Sequence, residues 1–255
     1  MRAAAILAAF ASIGSASAHD TYMLARDWTP DDINSVILDL TSSGGFPVLE
    51  YGPAADRITV MSAHIGGGDV VVSTGERDEE RSLPIEAAPG RTGTLHVALS
   101  FGPRPITLTP DTVEHYLEEI GASDAVRAAA AALGDQPFEE VYTKHSQSVL
   151  CVIECDVAPE PAGLDLEFVL EAGSPTPPTT IRLLYKGSPA ADLHVNLKTA
   201  DGAVRALRTD ASGRFDLPVL PEGPTLLSAV RLMAPASDGA PFTSDFGALT
   251  LNAAD

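Results

Sequence analysis

Val204-Arg205-Ala206-Leu207-Arg208-Thr209-Asp210-Ala211-Ser212-Gly213-Arg214-Phe215-Asp216-Leu217 reads as two short strands joined by a tight turn. In such a turn the Asp carboxylate accepts hydrogen bonds from the backbone just ahead of it, and Gly supplies the positive φ. Ala200-Asp201-Gly202 repeats the device one strand earlier. Working outward at the same spacing, strands are predicted at 164–171, 179–185, 192–199, 204–209, 214–217, 225–233 and 247–252. Short strands with a turn signal every few residues are the pattern of a compact sandwich.

Upstream, Ala158-Pro159-Glu160-Pro161-Ala162-Gly163 cannot continue a strand and predicts a linker. Before it, strands are predicted at 35–41, 57–65, 69–73, 94–100 and 141–157, with the acidic stretch 76–86 as a solvated loop. One helical insertion interrupts them. Thr109 can cap, Pro110 suits the first helical position, and Val113, Tyr116, Leu117 and Ile120 share a face before Gly121 stops the helix. A second helix follows from Ser123 through the alanine run to Gly134. The reading is mainly β: two β-sandwich domains, immunoglobulin-like or carboxypeptidase-regulatory-like, at 19–158 and 164–255, the first with helices near 110–133.

The first eighteen residues carry a different signal. Arg2 precedes an apolar run at 6–13, and Ala16-Ser17-Ala18 gives a small-x-small cleavage pattern. This predicts a secretory signal peptide at 1–18 and a periplasmic or secreted location. The run is shorter than the roughly 20 residues that span a bilayer, so no membrane insertion is expected after cleavage. Cleavage after Ala18 makes His19 the terminal residue, with an imidazole and a free amine that can chelate one transition metal.

The chain has 255 residues and a formal net charge of −19. Such acidity repels phosphates and anionic lipid, which argues against nucleic-acid binding and membrane-surface binding. The two cysteines, Cys151 and Cys155, lie four apart in a predicted strand. A regular strand separates such positions by about 13 Å, beyond the span of a disulfide, so packed thiols are expected there unless the strand is bulged.

His19-Asp20 with Tyr22-Met23-Leu24, then Gly45-Phe46-Pro47 and Arg57-Ile58, resemble the opening blocks of periplasmic proteins assigned to nickel/cobalt transport. Glu114-His115-Tyr116-Leu117-Glu118-Glu119-Ile120-Gly121 is similar to that family's central helix, and Tyr142-Thr143-Lys144 to the block before its closing strand. The segment 207–214 resembles its C-terminal turn, and Ala229-Val230-Arg231-Leu232-Met233 the strand after it, with Arg231 where a His is expected. The resemblance implies two β-sandwich-like domains and periplasmic metal handling.

Six histidines are available as ligands. His19 is the sharpest candidate; Asp20 would add an oxygen or orient the imidazole. His96 is the third, on the strand face opposite Leu95, Val97 and Leu99. His115 falls about 200° from Val113 on the helix, a surface position. His64 and His194 are assigned to surface structure, and Lys144 beside His145 would repel a metal. The predicted metal ligands are therefore His19, Asp20 and His96, for a divalent ion of the nickel, cobalt or copper type. The expected function is that of an exported accessory protein, not an enzyme, that binds the ion for uptake or delivery, with a membrane metal transporter as partner. The alternative is a metal-free structural or interaction module that docks a membrane transport partner.

Overall fold

The computed structural model describes residues 19–155, 158–171 and 179–253, so the predicted leader at 1–18 lies outside the described residues. The first half forms β1 (Asp20–Ala25), β2 (Val36–Ser43), β3 (Ile58–Ile65), β4 (Gly68–Asp69), β5 (Val71–Thr74), β6 (Leu83–Ala88), β7 (Gly93–Phe101) and β8 (Arg104–Leu108). Helices α1 (Pro110–Glu119) and α2 (Asp124–Ala131) follow, then the long β9 (Phe138–Val152). The second half forms β10 (Leu166–Leu170), β11 (Thr180–Tyr185), β12 (Ser188–Pro189) and β13 (His194–Thr199). It ends with β14 (Val204–Arg208), β15 (Arg214–Asp216), β16 (Gly223–Met233) and β17 (Phe242–Ala253). Among the described residues no helix is long and apolar enough to cross a membrane.

The protein is mainly β, with sandwich cores built on one long sheet. That sheet has nine strands in the order β14-β13-β16-β17-β9-β7-β3-β4, with β8 also paired to β9. Side chains alternate across it. Leu95, Val97 and Leu99 of β7 and Leu150 and Val152 of β9 meet the sheet β1-β2-β6-β5 in one core, with Met23, Leu38, Leu40, Leu83 and Ile85. On the opposite face, Val149, Leu227, Leu249 and Leu251 meet Leu166, Phe168, Ile181 and Leu183 of the sheet formed by β10, β11, β12 and β15. The segment 158–163 leads from β9 of the long sheet to β10 of the sheet packed on its face. Strand β9 pairs antiparallel with β7 and parallel with β17, so the halves expected as separate domains share one sheet.

The turn at 209–213 forms as its residues dictate. Asp210 Oδ1 accepts from the backbone N–H of Ser212 at 2.8 Å and of Arg214 at 2.9 Å, and Gly213 has φ 76°. The helices also lie where the pattern puts them. Tyr116, Leu117, Ile120, Val126 and Ala130 pack on Phe138 and Phe242, covering the end of the long sheet. Gly121 ends α1 at φ 60°.

Two further expectations are corrected. The acidic stretch 76–86 is a loop only in its first part, because β6 starts at Leu83 and buries Leu83 and Ile85 in the core. Cys151 and Cys155 are a disulfide, not packed thiols, with Cα atoms 5.1 Å apart. The strand stops at Val152, Ile153 takes φ 62°, and its N–H bonds the Pro30 carbonyl at 3.1 Å. That turn brings residues together that a continuing strand would separate.

A Cβ added to Gly121 would lie 2.4 Å from Cγ of His194, in a backbone conformation that disfavours any L side chain. Gly121→Ala is expected to lower stability by more than about 2 kcal/mol, read from urea unfolding midpoints. An unchanged midpoint would mean that α1 does not dock against β13.

Candidate functional site

The predicted ligand His19 sits at the start of β1, and this corner of the molecule is held by two lysines. β1 pairs with β2 in continuous register from Asp20↔Ser43 to Ala25↔Leu38. Lys144 of β9 donates from Nζ to the His19 carbonyl at 2.6 Å and to Thr21 Oγ1 at 3.1 Å. Its stem is buried, with Nζ 5.7 Å and 5.6 Å from the ring centres of Tyr142 and Phe246. Burial lowers its ammonium to about 8, and the Asp20 carboxylate opposes that shift. Asp20 is itself committed: its Oδ2 pairs with Lys198 Nζ at 2.7 Å, with both side chains less than a fifth exposed.

Glu50 approaches the same corner from the loop after β2. Its Oε2 accepts from the Gly44 backbone N–H at 3.1 Å and from Ser43 Oγ at 3.0 Å. These bonds hold its carboxyl below the usual glutamate range, against some desolvation, and the nearby His19 adds to the effect. On the other side, Asp20 and Lys198 line a small crevice with Glu119, His194, Asn196 and Ser228. His194, read from sequence as surface structure, bonds Asn196 there through Nε2 at 2.9 Å.

His96 is not part of this corner. It lies on the opposite face of the long sheet from Lys144, buried beneath β10. Gln147 determines its chemistry. Gln147 Oε1 accepts the Phe168 N–H at 2.9 Å, while Nε2 donates to the Phe168 carbonyl at 3.0 Å. That fixes the amide orientation, so the contact of Nε2 with His96 Nε2 at 3.1 Å makes the imidazole nitrogen the acceptor. The lone pair that a metal would take is in use. Burial, with His64 adding to it, lowers His96 to about 4. His19, Asp20 and His96 therefore do not converge on one ion. Among the described residues no group of three or more His, Cys, Asp or Glu side chains is placed to hold a metal.

One polar constellation was invisible in the sequence. Ser100 of β7 meets His145 Nδ1 at 2.7 Å, and His145 Nε2 meets Asp245 Oδ1 of β17 at 3.1 Å. All three side chains are buried on adjacent strands, which makes the chain a polar tie across the centre of the sheet. Beside it, Arg231 stands opposite Asp245 in the β16–β17 ladder and stacks 4.3 Å from the Tyr185 ring centre. The residue found where a His was expected thus packs on an aromatic ring. Only the strand register brings these groups together, and single-sequence patterning does not supply it.

No family model matches the chain, and no curated protein matches it. Among solved structures it is similar to the D0-D1 domain of Intimin, at 11% identity, covering 91% of this chain and 97% of that chain with a TM-score of 0.23.

Because the His96 imidazole is held well below its ordinary 6.5, its neutral form favours the fold above that pH. The contribution is lost as pH falls through about 4. The stability difference between wild type and His96→Gln is expected to move against the wild type by about 3 kcal/mol between pH 7 and pH 4. Urea unfolding at both pH values checks this, and parallel pH profiles would sink the assignment.

Proposed function

We propose that this is an exported accessory protein that captures a divalent transition-metal ion of the nickel, cobalt or copper type at His19. Removal of residues 1–18 would give His19 a free amine beside its imidazole, two nitrogen donors for one ion. The ion would then pass to a membrane transport partner, with the protein acting as a binder and not an enzyme. The observation that carries the reading is the anchoring of His19: its carbonyl is held by the partly buried Lys144, and β1 behind it is paired with β2 along its whole length. A chelating residue on a fixed strand loses less conformational freedom on binding than one on a loose tail. The Cys151–Cys155 disulfide is in keeping with an oxidising compartment. The net charge of −19 adds long-range attraction for cations. Asp20 is best read as a residue that orients the corner through Lys198.

The alternative interaction-module reading draws on one feature. β14 is an outer strand of the long sheet, and Val204 at its start is 62% exposed. An open strand edge of this kind can accept a partner's strand.

Calorimetric titration of the chain beginning at His19 with Ni(II), Co(II), Cu(II) and Zn(II) tests the metal reading. One-to-one binding is expected, weakened at least about tenfold, or 1.4 kcal/mol, when a single residue is placed before His19. Equal weak binding in both forms would reduce the effect to acidic-surface attraction and favour the interaction module.

A further inference from the structure

We infer that Glu50 supplies the anionic donor that completes the His19 site, so that the loop after β2 is a metal-binding element. This rests on the reading of His19 as the capturing residue. The β1–β2 register places Asp20 opposite Ser43, which puts His19 beside the Ser43-Gly44 turn. Glu50 is anchored on that same turn by Ser43 Oγ and the Gly44 N–H. Both bonds fall on Oε2, and Oε1 is the oxygen that a metal would take.

The loop carrying Glu50 is itself pinned to β1. The Tyr22 hydroxyl lies 2.8 Å from the Gly45 carbonyl and 2.6 Å from the Val48 carbonyl, which share its one proton. The Phe46 ring packs edge-on against Tyr22, with centroids 5.2 Å apart. The Ser42 N–H closes the loop on the Tyr51 carbonyl at 2.8 Å. One strand thus positions both the terminal residue and the carboxylate, which is the preorganisation a low-coordinate site needs.

Charge decides between the two nearby carboxylates. Asp20 is tied to Lys198, so using it would strand a largely buried ammonium. Glu50 is held only by neutral donors and keeps its full negative charge for a cation. It would also offset the repulsion of Lys144, whose Nζ donates to the His19 carbonyl. Two nitrogens and one carboxylate oxygen suit borderline divalent ions, Cu(II) and Ni(II) above all, and disfavour thiophilic Cu(I).

The test compares the chain beginning at His19 with its Glu50→Gln and Asp20→Asn variants, titrated with Ni(II) and followed by electron paramagnetic resonance with Cu(II). The glutamine oxygen can still accept from Ser43 and Gly44, and thermal unfolding confirms that each variant folds. Glu50→Gln is expected to weaken Ni(II) at least about tenfold and to alter the Cu(II) spectrum toward a site with one fewer charged oxygen. Asp20→Asn is expected to change affinity less than about threefold. Wild-type affinity and spectrum in Glu50→Gln would overturn the role of Glu50 while leaving His19 intact as the ligand. Loss of binding in Asp20→Asn with none in Glu50→Gln would reassign the donor to Asp20. Binding by the unsubstituted chain no tighter than by the form extended before His19 would overturn the His19 site and this inference with it.

Discussion

Strand β9 is hydrogen-bonded along both edges, antiparallel to β7 from Gly93↔Val152 to Ser100↔His145 and parallel to β17 from Phe242↔Glu140 to Thr250↔Ser148. A strand so placed has no solvent face along its second half, and its alternate residues must satisfy two different layers. Val149 enters one core and Leu150 the other. Its polar residues are tied as well: Gln147 clasps the backbone of Phe168, and Ser148 meets the Thr250 hydroxyl at 3.0 Å. Burying these groups without partners would cost several kcal/mol in total, so the packing of β1 and β10 on opposite faces is specified by this one strand.

The chemistry of the N-terminal corner follows from the same strand. Lys144 precedes the buried stretch of β9 on the face that β1 crosses, so its ammonium reaches the His19 carbonyl and Thr21. One residue later the side chain points through the sheet, and His145 joins Ser100 and Asp245 instead. Two adjacent residues of one strand thus serve a surface corner on one side and a buried tie on the other. The period of two along a strand is what separates them.

Turns, helices and most strands were legible because they rest on local rules. Gly213 and Gly121 sit where positive φ is needed, and the apolar stripe of α1 packs as its spacing requires. The disulfide and β6 were not legible, for related reasons. Cys151 and Cys155 were measured along an ideal strand that in fact ends at Val152. Leu83 and Ile85 alternate with Pro84 and Glu86 inside an acidic stretch whose charge obscures the pattern. Part of the candidate site was visible too. His19 stands out by its place in the chain, whereas Glu50 is one acidic residue among 35 Asp and Glu until its bonds to Ser43 and Gly44 hold it at the turn opposite the start of β1.

The sequence by itself determined a chain of short strands with a helical insertion, an acidic surface and a distinctive histidine after a leader-like segment. These are local or additive properties, set by side-chain period, turn chemistry and charge. Tertiary structure decided that the two halves share a sheet, that His96 faces Gln147 across the sheet from His19, and that Asp20 belongs to Lys198. Such outcomes depend on which strands pair and in what register. A one-residue shift would turn every side chain of a strand to its other face, and nothing local in the chain encodes that choice.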